Sequence, residues 1–156
     1  MLGSLFLLVA SCFSQPIAVQ TYCAQNNSLI AACRVGCQLT LETCNISNPL
    51  HKWRYSPGKD ASLTLIAGES NATEGLCVNV KAYRTKADSL IWITLCHPEH
   101  PLRANEGWSF FNGSLVNTRS KLCATASTTG RVELGTCKNP QQQWRYDNQT
   151  NLITVG

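Results

Sequence analysis

The tripeptide Trp-Arg-Tyr occurs twice in the sequence, at residues 53–55 and 144–146, and the residues around the two copies also correspond. Each copy follows a Cys that ends an alternating apolar segment, and each precedes a polar turn and a second apolar segment. A third segment with the same order of features surrounds Trp108. The chain thus contains three related units, at about residues 29–68, 76–117 and 122–156. A repeat of this kind limits the fold to architectures in which similar units share one core.

Each unit has the pattern of short β-strands. Apolar residues alternate with polar ones, as at Val132 and Leu134, and turn residues such as Asn112-Gly113 separate the segments. One unit cannot bury its own apolar face, but three units around a pseudo-threefold axis can share a core with few open edges. We therefore predict an all-β fold with Trp53, Trp108 and Trp144 in equivalent core positions rather than in a ligand site.

The N-terminus has the properties of a secretory signal peptide. Residues 1–14 are apolar from Leu2 to Val9 and end with small residues at Cys12 and Ser14, although no Lys or Arg precedes the apolar stretch. We interpret residues 1–14 as the signal peptide and 15–28 as an N-terminal segment before the repeats. No stretch approaches the roughly 20 apolar residues of a membrane helix. The protein is therefore expected outside the cell or on the extracellular side of its surface.

Cysteine usage agrees with export. The chain has nine cysteines, and removal of Cys12 leaves eight. An even number in a small exported domain predicts a set of disulfides. No two pairs have matching zinc-ligand spacing, so no metal site is expected.

Five Asn-x-Ser/Thr motifs are potential acceptors of N-linked glycans in an exported chain. They begin at Asn26, Asn45, Asn71, Asn112 and Asn148. Glycans need surface positions, so these residues are expected to be exposed.

Charge and motifs exclude several functions. The net charge of +4 is too small to predict a nucleic-acid partner but is compatible with an anionic ligand. The sequence has no Gly-x-Ser-x-Gly motif and no phosphate-binding Gly loop, and only nine residues are acidic. We predict neither an enzyme nor a cofactor. His97 and His100 lie in a Pro-rich segment and are expected to be solvated.

Three units of about forty residues with Cys…Cys and Gln-x-Trp resemble the ricin-type (R-type) lectin β-trefoil over residues 29–156. The segment CNISNPLHKW, from Cys44 to Trp53, and the pair Cys77 and Cys96 are similar to the N-terminal cysteine-rich domain of the mannose-receptor family. The resemblance implies a β-trefoil of three Cys…Cys…Gln-x-Trp repeats that binds glycans or glycoproteins. It also implies that the chain is the N-terminal part of an endocytic receptor-like protein, a truncated product or a free-standing relative.

The resemblance also implies disulfides within repeats, Cys77–Cys96 and Cys123–Cys137. The first repeat departs from the family pattern, because four cysteines lie between residues 23 and 44. Three pairings of these four are possible; we favour Cys33–Cys44 with Cys23–Cys37.

The resemblance implies that sugar is bound by an Asp two residues after the first Cys, an aromatic residue two before the second Cys and an Asn directly before Gln-x-Trp. The second repeat is the most similar, with Asn79, Thr94 and Asn105 at these positions, but no repeat has the full set. Strand alternation predicts that Trp92 and Thr94 point outward, so that Trp92 could stack on a pyranose ring.

Cationic and aromatic residues lie near this strand in the sequence: Lys81, Tyr83, Arg84 and Lys86. Such a cluster suits a sulfate or carboxylate on a sugar. Two structural alternatives remain open, namely that Trp92 packs against a neighbouring loop and that the cations are an ordinary solvated hairpin tip.

Two functions are therefore compatible with the sequence. The first is an extracellular carbohydrate-binding module, with sulfated or acidic glycans as candidate ligands. The second is a degenerate trefoil without a sugar site that serves as a structural or protein-binding module.

Overall fold

The computed structural model describes residues 15–19, 36–43, 45–58, 61–68, 75–97, 102–137 and 143–155. Within these ranges the fold consists of β-strands and short 3-10 turns, without an α-helix. The strands are β1 (Gln15–Val19), β2 (Cys37–Leu41), β3 (Trp53–Ser56), β4 (Ser62–Leu65), β5 (Leu76–Val80), β6 (Ile91–Leu95), β7 (Trp108–Phe111), β8 (Ser114–Asn117), β9 (Cys123–Ala126), β10 (Val132–Gly135), β11 (Trp144–Asp147) and β12 (Leu152–Val155). The prediction of an all-β fold is confirmed.

The strands form two antiparallel sheets that follow the repeats. The larger sheet has the order β11-β12-β1-β2-β6-β5-β4-β3, and the smaller has β10-β9-β8-β7. Each repeat closes with a hairpin that begins at its Trp: β3–β4, β7–β8 and β11–β12. Three equivalent hairpins on one shared core are the architecture of a β-trefoil.

The first strand extends the sheet beyond the predicted start of the repeats at residue 29. Gln15 and Pro16 pair with Val155 and Thr154 of β12. On its other edge β1 pairs with β2, with Ile17 opposite Leu41. The predicted N-terminal segment 15–28 therefore contributes a strand to the trefoil, and β1 joins the first repeat to the third.

The three Trp residues of the repeats lie in the core, as predicted. Trp53, Trp108 and Trp144 are almost completely buried among the Leu, Ile and Val side chains of both sheets. The indole N–H of Trp108 donates to the Val78 carbonyl at 3.0 Å, and that of Trp144 donates to the Ala124 carbonyl at 2.7 Å. In both repeats the acceptor follows the first Cys, so the indole ties the closing hairpin to the first strand of its own repeat.

The backbone N–H groups of the same Trp residues connect the repeats in a ring. Trp53 N–H donates to the carbonyl of Asn151 at 2.8 Å, which joins the first repeat to the third. Trp108 N–H donates to Ala61 at 3.0 Å and Trp144 N–H to Gly113 at 2.7 Å, which join the second repeat to the first and the third to the second. Each acceptor lies at or beside a hairpin turn of another repeat. The repeated Trp therefore marks a position where each unit is bonded to itself and to a neighbour.

Two disulfides have the predicted pairing. Cys77 bonds Cys96 and Cys123 bonds Cys137, each within one repeat. Cys37 is also disulfide-bonded and completely buried. The other predicted members of the first-repeat pairs, Cys23, Cys33 and Cys44, lie outside the described residues, as do the predicted signal peptide 1–14 and His100.

In the described part of the chain, no helix has the length and apolar character needed to cross a membrane.

The predicted hairpin turn at Asn112-Gly113 is confirmed. Phe111 pairs with Ser114 across it, and Asn112 and Gly113 have φ values of 47° and 75°. Two successive positive φ angles are typical of the type I′ turn that matches strand twist.

Candidate functional site

An open depression of about 690 Å³ lies at the tip of the β5–β6 hairpin. Residues 82–89 form most of its wall, and Arg119, from the turn between β8 and β9, completes it. Arg84, Lys86 and Arg119 give the depression three cations, against the single carboxylate of Asp88. Because all three cations are exposed, their charge is available to a ligand from solvent.

The hairpin tip is fixed by backbone hydrogen bonds and unusual backbone angles. Lys81 N–H donates to Leu90 O at 2.9 Å at the base of the loop. Asp88 N–H donates to Leu134 O and Leu134 N–H donates to Ser89 O, both at 2.8 Å, so the loop is bonded to β10 of the third repeat. Ala82, Tyr83 and Asp88 have φ values of 54°, 54° and 62°. A positive φ is uncommon for non-glycine residues, so contacts such as these help to hold the loop in this conformation.

Three of the residues that match the family's sugar-binding positions are buried, although a sugar-binding side chain must be accessible. Asn79, Thr94 and Asn105 have only 1%, 9% and 0% of their surface exposed. Strand alternation assumes that one face of the sheet is open to water. Here β5 is buried along its whole length, because β4 and β6 flank it and the 3-10 segment Leu102–Glu106 packs against it. A ligand in solvent does not reach these side chains in this conformation.

The buried amides instead support residues at the surface. The Asn105 side-chain oxygen accepts a hydrogen bond of 3.3 Å from Arg119, one of the cations of the depression. Asn79 donates to the buried carboxylate of Glu106 at 3.4 Å. The residues identified from the family pattern therefore lie one layer beneath the accessible surface.

Glu106 connects this buried layer to His97 and Tyr83. Its oxygens accept hydrogen bonds from the His97 backbone N–H at 3.0 and 3.1 Å, and Oε1 lies 2.5 Å from His97 Nδ1. His97 Nε2 in turn lies 3.3 Å from the Tyr83 hydroxyl. His97 is partly buried and bonded on both ring nitrogens, so the expectation that it is a solvated loop residue is wrong.

Trp92 is only partly exposed, and one of its faces is covered. A Cβ at Gly36 would lie 2.3 Å from the Trp92 ring, which places the indole directly against that backbone. Lys81 Nζ lies 5.5 Å from the ring centroid, in cation–π geometry. Packing against a neighbouring loop, one of the two alternatives from sequence, thus describes part of this residue's environment. Neither Lys81 nor Trp92 lines the depression.

Arg119, Glu106 and His97 belong to this region although the sequence did not identify them as candidates. Arg119 follows the second repeat and has no counterpart in the family's sugar-binding pattern. Glu106 occupies the Gln position of Gln-x-Trp, two positions before a Trp that was predicted to be buried. A buried carboxyl needs hydrogen-bond partners, so this residue was the one feature of the sequence that indicated a polar network beneath the surface.

Three of the five glycan-acceptor asparagines lie in described residues. Asn45, Asn112 and Asn148 are exposed, on the turn after β2 and on two hairpin turns. Asn26 and Asn71 lie outside the described residues. Glycosylation itself stays a prediction.

The comparison with known families agrees with the fold. The family model for the ricin-type beta-trefoil lectin domain matches residues 17–144. No curated protein matches the chain. Among the described side chains, no three His, Cys, Asp or Glu residues are grouped as metal ligands would be.

Proposed function

The chain belongs to the ricin-type β-trefoil lectin domain family, and we propose that it binds anionic carbohydrate in the depression at the tip of the β5–β6 hairpin. The observation on which the proposal depends is the convergence of Arg84, Lys86 and Arg119 around one open concavity. Lectin domains bind carbohydrate, and a concavity with three cations favours a sugar with a sulfate or carboxylate group over a neutral sugar.

Arginine suits this role because its planar guanidinium forms two parallel hydrogen bonds with a sulfate or carboxylate. Arg119 is partly pre-oriented, since its Nη1 donates to the buried Asn105 oxygen and its other donors stay available. Pre-orientation lowers the entropy lost when the ligand binds. The single acid of the depression, Asp88, can accept hydrogen bonds from sugar hydroxyls.

The cellular setting is part of the proposal. Disulfides within repeats are typical of oxidising compartments. We propose that the protein is a secreted or cell-surface glycoprotein that recognises glycans or glycoproteins, as the N-terminal module of an endocytic receptor-like protein.

One observation favours a second candidate, a structural or protein-binding trefoil without a sugar site. Asn79, Thr94 and Asn105, which correspond to the family's sugar-binding positions in the second repeat, are all buried. If the chain binds no glycan, the same cationic depression would contact an acidic segment of a protein.

A glycan array with neutral, sialylated and sulfated sugars tests the first function directly. Wild-type protein is expected to bind sulfated or acidic glycans and to lose binding as salt rises, because the contact is ionic. Arg84→Ala and Arg119→Ala should each weaken binding about tenfold, the loss expected for one charged hydrogen bond. Arg131→Ala is the matched control, since Arg131 is exposed but lies outside the depression.

Trp92→Ala on the same array separates the depression from the Trp92 face. Binding that survives Trp92→Ala and is lost in Arg119→Ala supports the depression, and the reverse result moves the site to Trp92. No binding by folded wild-type protein to any glycan would favour the structural or protein-binding function.

A further inference from the structure

Tyr83, His97 and Glu106 form a hydrogen-bonded series from the surface to the interior. The Tyr83 hydroxyl lies 3.3 Å from His97 Nε2, and His97 Nδ1 lies 2.5 Å from Glu106 Oε1. The Tyr83 and His97 rings also make an edge contact, with centroids 5.9 Å apart and planes at 72°. Tyr83 is 37% exposed, whereas Glu106 is 3% exposed. The series therefore connects an accessible aromatic ring to a fixed internal carboxylate.

The buried end of the series has little freedom to move. Both Glu106 oxygens accept from the His97 backbone N–H, and Oε1 also accepts from the Asn79 amide. Asn79 is held in turn, because its side-chain oxygen accepts from Val80 N–H at 2.7 Å. The carboxylate is thus a rigid reference point for the imidazole.

The carboxylate fixes one ring nitrogen of His97. An ionised carboxylate only accepts, so His97 Nδ1 is the donor to Glu106. The other ring nitrogen, Nε2, bonds the Tyr83 hydroxyl. This bond engages the polar end of Tyr83, so the ring is the part of the side chain that we assign to the ligand.

The backbone around Tyr83 needs such support. Ala82 and Tyr83 have φ values of 54° in succession, a conformation that costs a non-glycine residue about 1 kcal/mol each. The side-chain bond to His97 helps to hold this conformation, and it keeps the ring in the wall of the depression beside Arg84.

We infer that Tyr83 is the stacking residue of the proposed anionic-glycan site, and that His97 and Glu106 are positioning residues that hold its ring for the ligand. This inference rests on the proposed function and specifies its ligand class. The ligand is a pyranose with one anionic substituent: its apolar ring face lies on Tyr83, and its sulfate or carboxylate lies among Arg84, Lys86 and Arg119. The stacking contact stabilises a bound sugar ring but not an inorganic anion, so the site should bind an anionic sugar more tightly than an inorganic anion.

The test measures affinities for a panel of hexopyranoses that carry one sulfate, for the matching unsulfated sugars and for inorganic sulfate. For wild-type protein, we expect at least one sulfated sugar to bind about tenfold more tightly than inorganic sulfate, the gain of one aromatic contact. Tyr83→Ala should abolish this advantage and leave the affinity for inorganic sulfate unchanged. Arg84→Ala should weaken the binding of both.

The positioning role predicts a partial and specific effect. Tyr83→Phe removes the hydroxyl, and the side chain of His97→Asn is too short to reach it, so each variant breaks the bond between residues 83 and 97. The shorter amide can still donate to Glu106 in place of His97 Nδ1. Each variant should lower the preference for the sulfated sugar several-fold without changing the affinity for inorganic sulfate, whereas a residue with a merely structural role would change both affinities together. Fluorotyrosine ¹⁹F NMR, with the Tyr83 signal assigned from Tyr83→Phe, should show greater averaging of that signal in His97→Asn.

Phe111→Ala is the matched control, because Phe111 is an aromatic residue with 66% of its surface exposed and lies outside the depression. If sulfated sugars bind no more tightly than sulfate, or if Tyr83→Ala keeps the preference, the stacking role is wrong while the anionic site survives. If Tyr83→Ala abolishes the preference but His97→Asn retains it, the positioning role is wrong. If neither sulfate nor any sulfated sugar binds, the proposed function fails and this inference fails with it.

Discussion

The rings of Tyr55 and Tyr146 lie 5.8 Å apart with their planes at 68°, although 91 positions separate the two residues in the chain. Phe110 completes the group, 5.1 Å from Tyr55 and 6.4 Å from Tyr146. Each of the three follows the Trp of its repeat by two positions. The Trp-Arg-Tyr repeat therefore has two structural consequences: the Trp residues fill the core, and the residues two positions later meet in one aromatic cluster.

The cluster predicts a graded loss of stability at Tyr146. Its hydroxyl donates to Trp53 O at 3.3 Å and lies 3.1 Å from Asn151 Oδ1. Tyr146→Phe keeps the ring and loses these bonds, so it should lower the free energy of unfolding by about 1 kcal/mol. Tyr146→Ala also loses the ring contacts and should cost about 3 kcal/mol. Chemical denaturation measures both changes. Phe111→Ala should alter stability by less than about 0.5 kcal/mol, because Phe111 projects into solvent; equal losses at 111 and 146 would contradict the importance of the cluster.

The parts of the fold that sequence predicted are those set by local pattern. Trp53, Trp108 and Trp144 stand at the same place in each repeat, and their burial follows because one repeat cannot bury its own apolar face. The outward orientation expected of Thr94 was wrong because alternation along a strand does not show what covers its outer face. Asn79 on the neighbouring β5 is likewise buried, and the segment Leu102–Glu106 packs against that strand. Contacts between repeats are likewise invisible in a local pattern. Arg119 reaches the depression only because the turn after β8 lies beside the β5–β6 hairpin.

The contact between Gly36 and Trp92 predicts a strong effect of one added methyl group. Gly36→Ala would place Cβ 2.3 Å from the indole ring, at a backbone φ of 107°. The ring is rigid, so it must move, and overpacking of this kind costs about 1–3 kcal/mol beyond the backbone strain. Unfolding free energy and a red shift of Trp emission are the measurements. Gly130→Ala is the matched control, since Gly130 also has positive φ, at 77°, but its new Cβ would have nothing closer than 4.0 Å. Equal costs at 36 and 130 would show that the Trp92 contact is unimportant.

The exposed sequons predict glycosylation at Asn45, Asn112 and Asn148 when the chain passes through the secretory pathway. Each Asn lies on a turn with its side chain in solvent, as glycan transfer requires. Intact mass before and after enzymatic deglycosylation should change, and Asn112→Gln should remove one glycan. Asn117→Gln is a control for the loss of an Asn, because Asn117 is buried and outside a sequon. An unmodified protein recovered from a glycosylating cell would contradict both the sequon interpretation and the predicted export.

We expect the protein to lose stability in mild acid because the imidazole of His51 is buried. His51 occupies the Gln position of the first Gln-x-Trp and is 2% exposed. Burial lowers the pKa of its imidazole below the ordinary value of 6.5, and the nearby Glu42 carboxylate opposes this only in part. The unfolded chain therefore binds a proton more readily than the folded one. The contribution of His51 to the free energy of unfolding is complete above about pH 6.5 and is lost as the pH falls toward the lowered pKa. The loss is at most about 1.4 kcal/mol per pH unit.

His51→Gln restores the amide that the third repeat has at Gln142, and denaturation between pH 4.5 and 7.5 should give a flatter stability profile for this variant than for wild type. Asp147 also has a lowered pKa, chiefly because its carboxylate accepts a hydrogen bond from Thr150. It contributes equally in both proteins, so the difference between the two stability profiles is due to His51. Parallel profiles would mean that folding does not lower the pKa of His51, which would contradict this prediction.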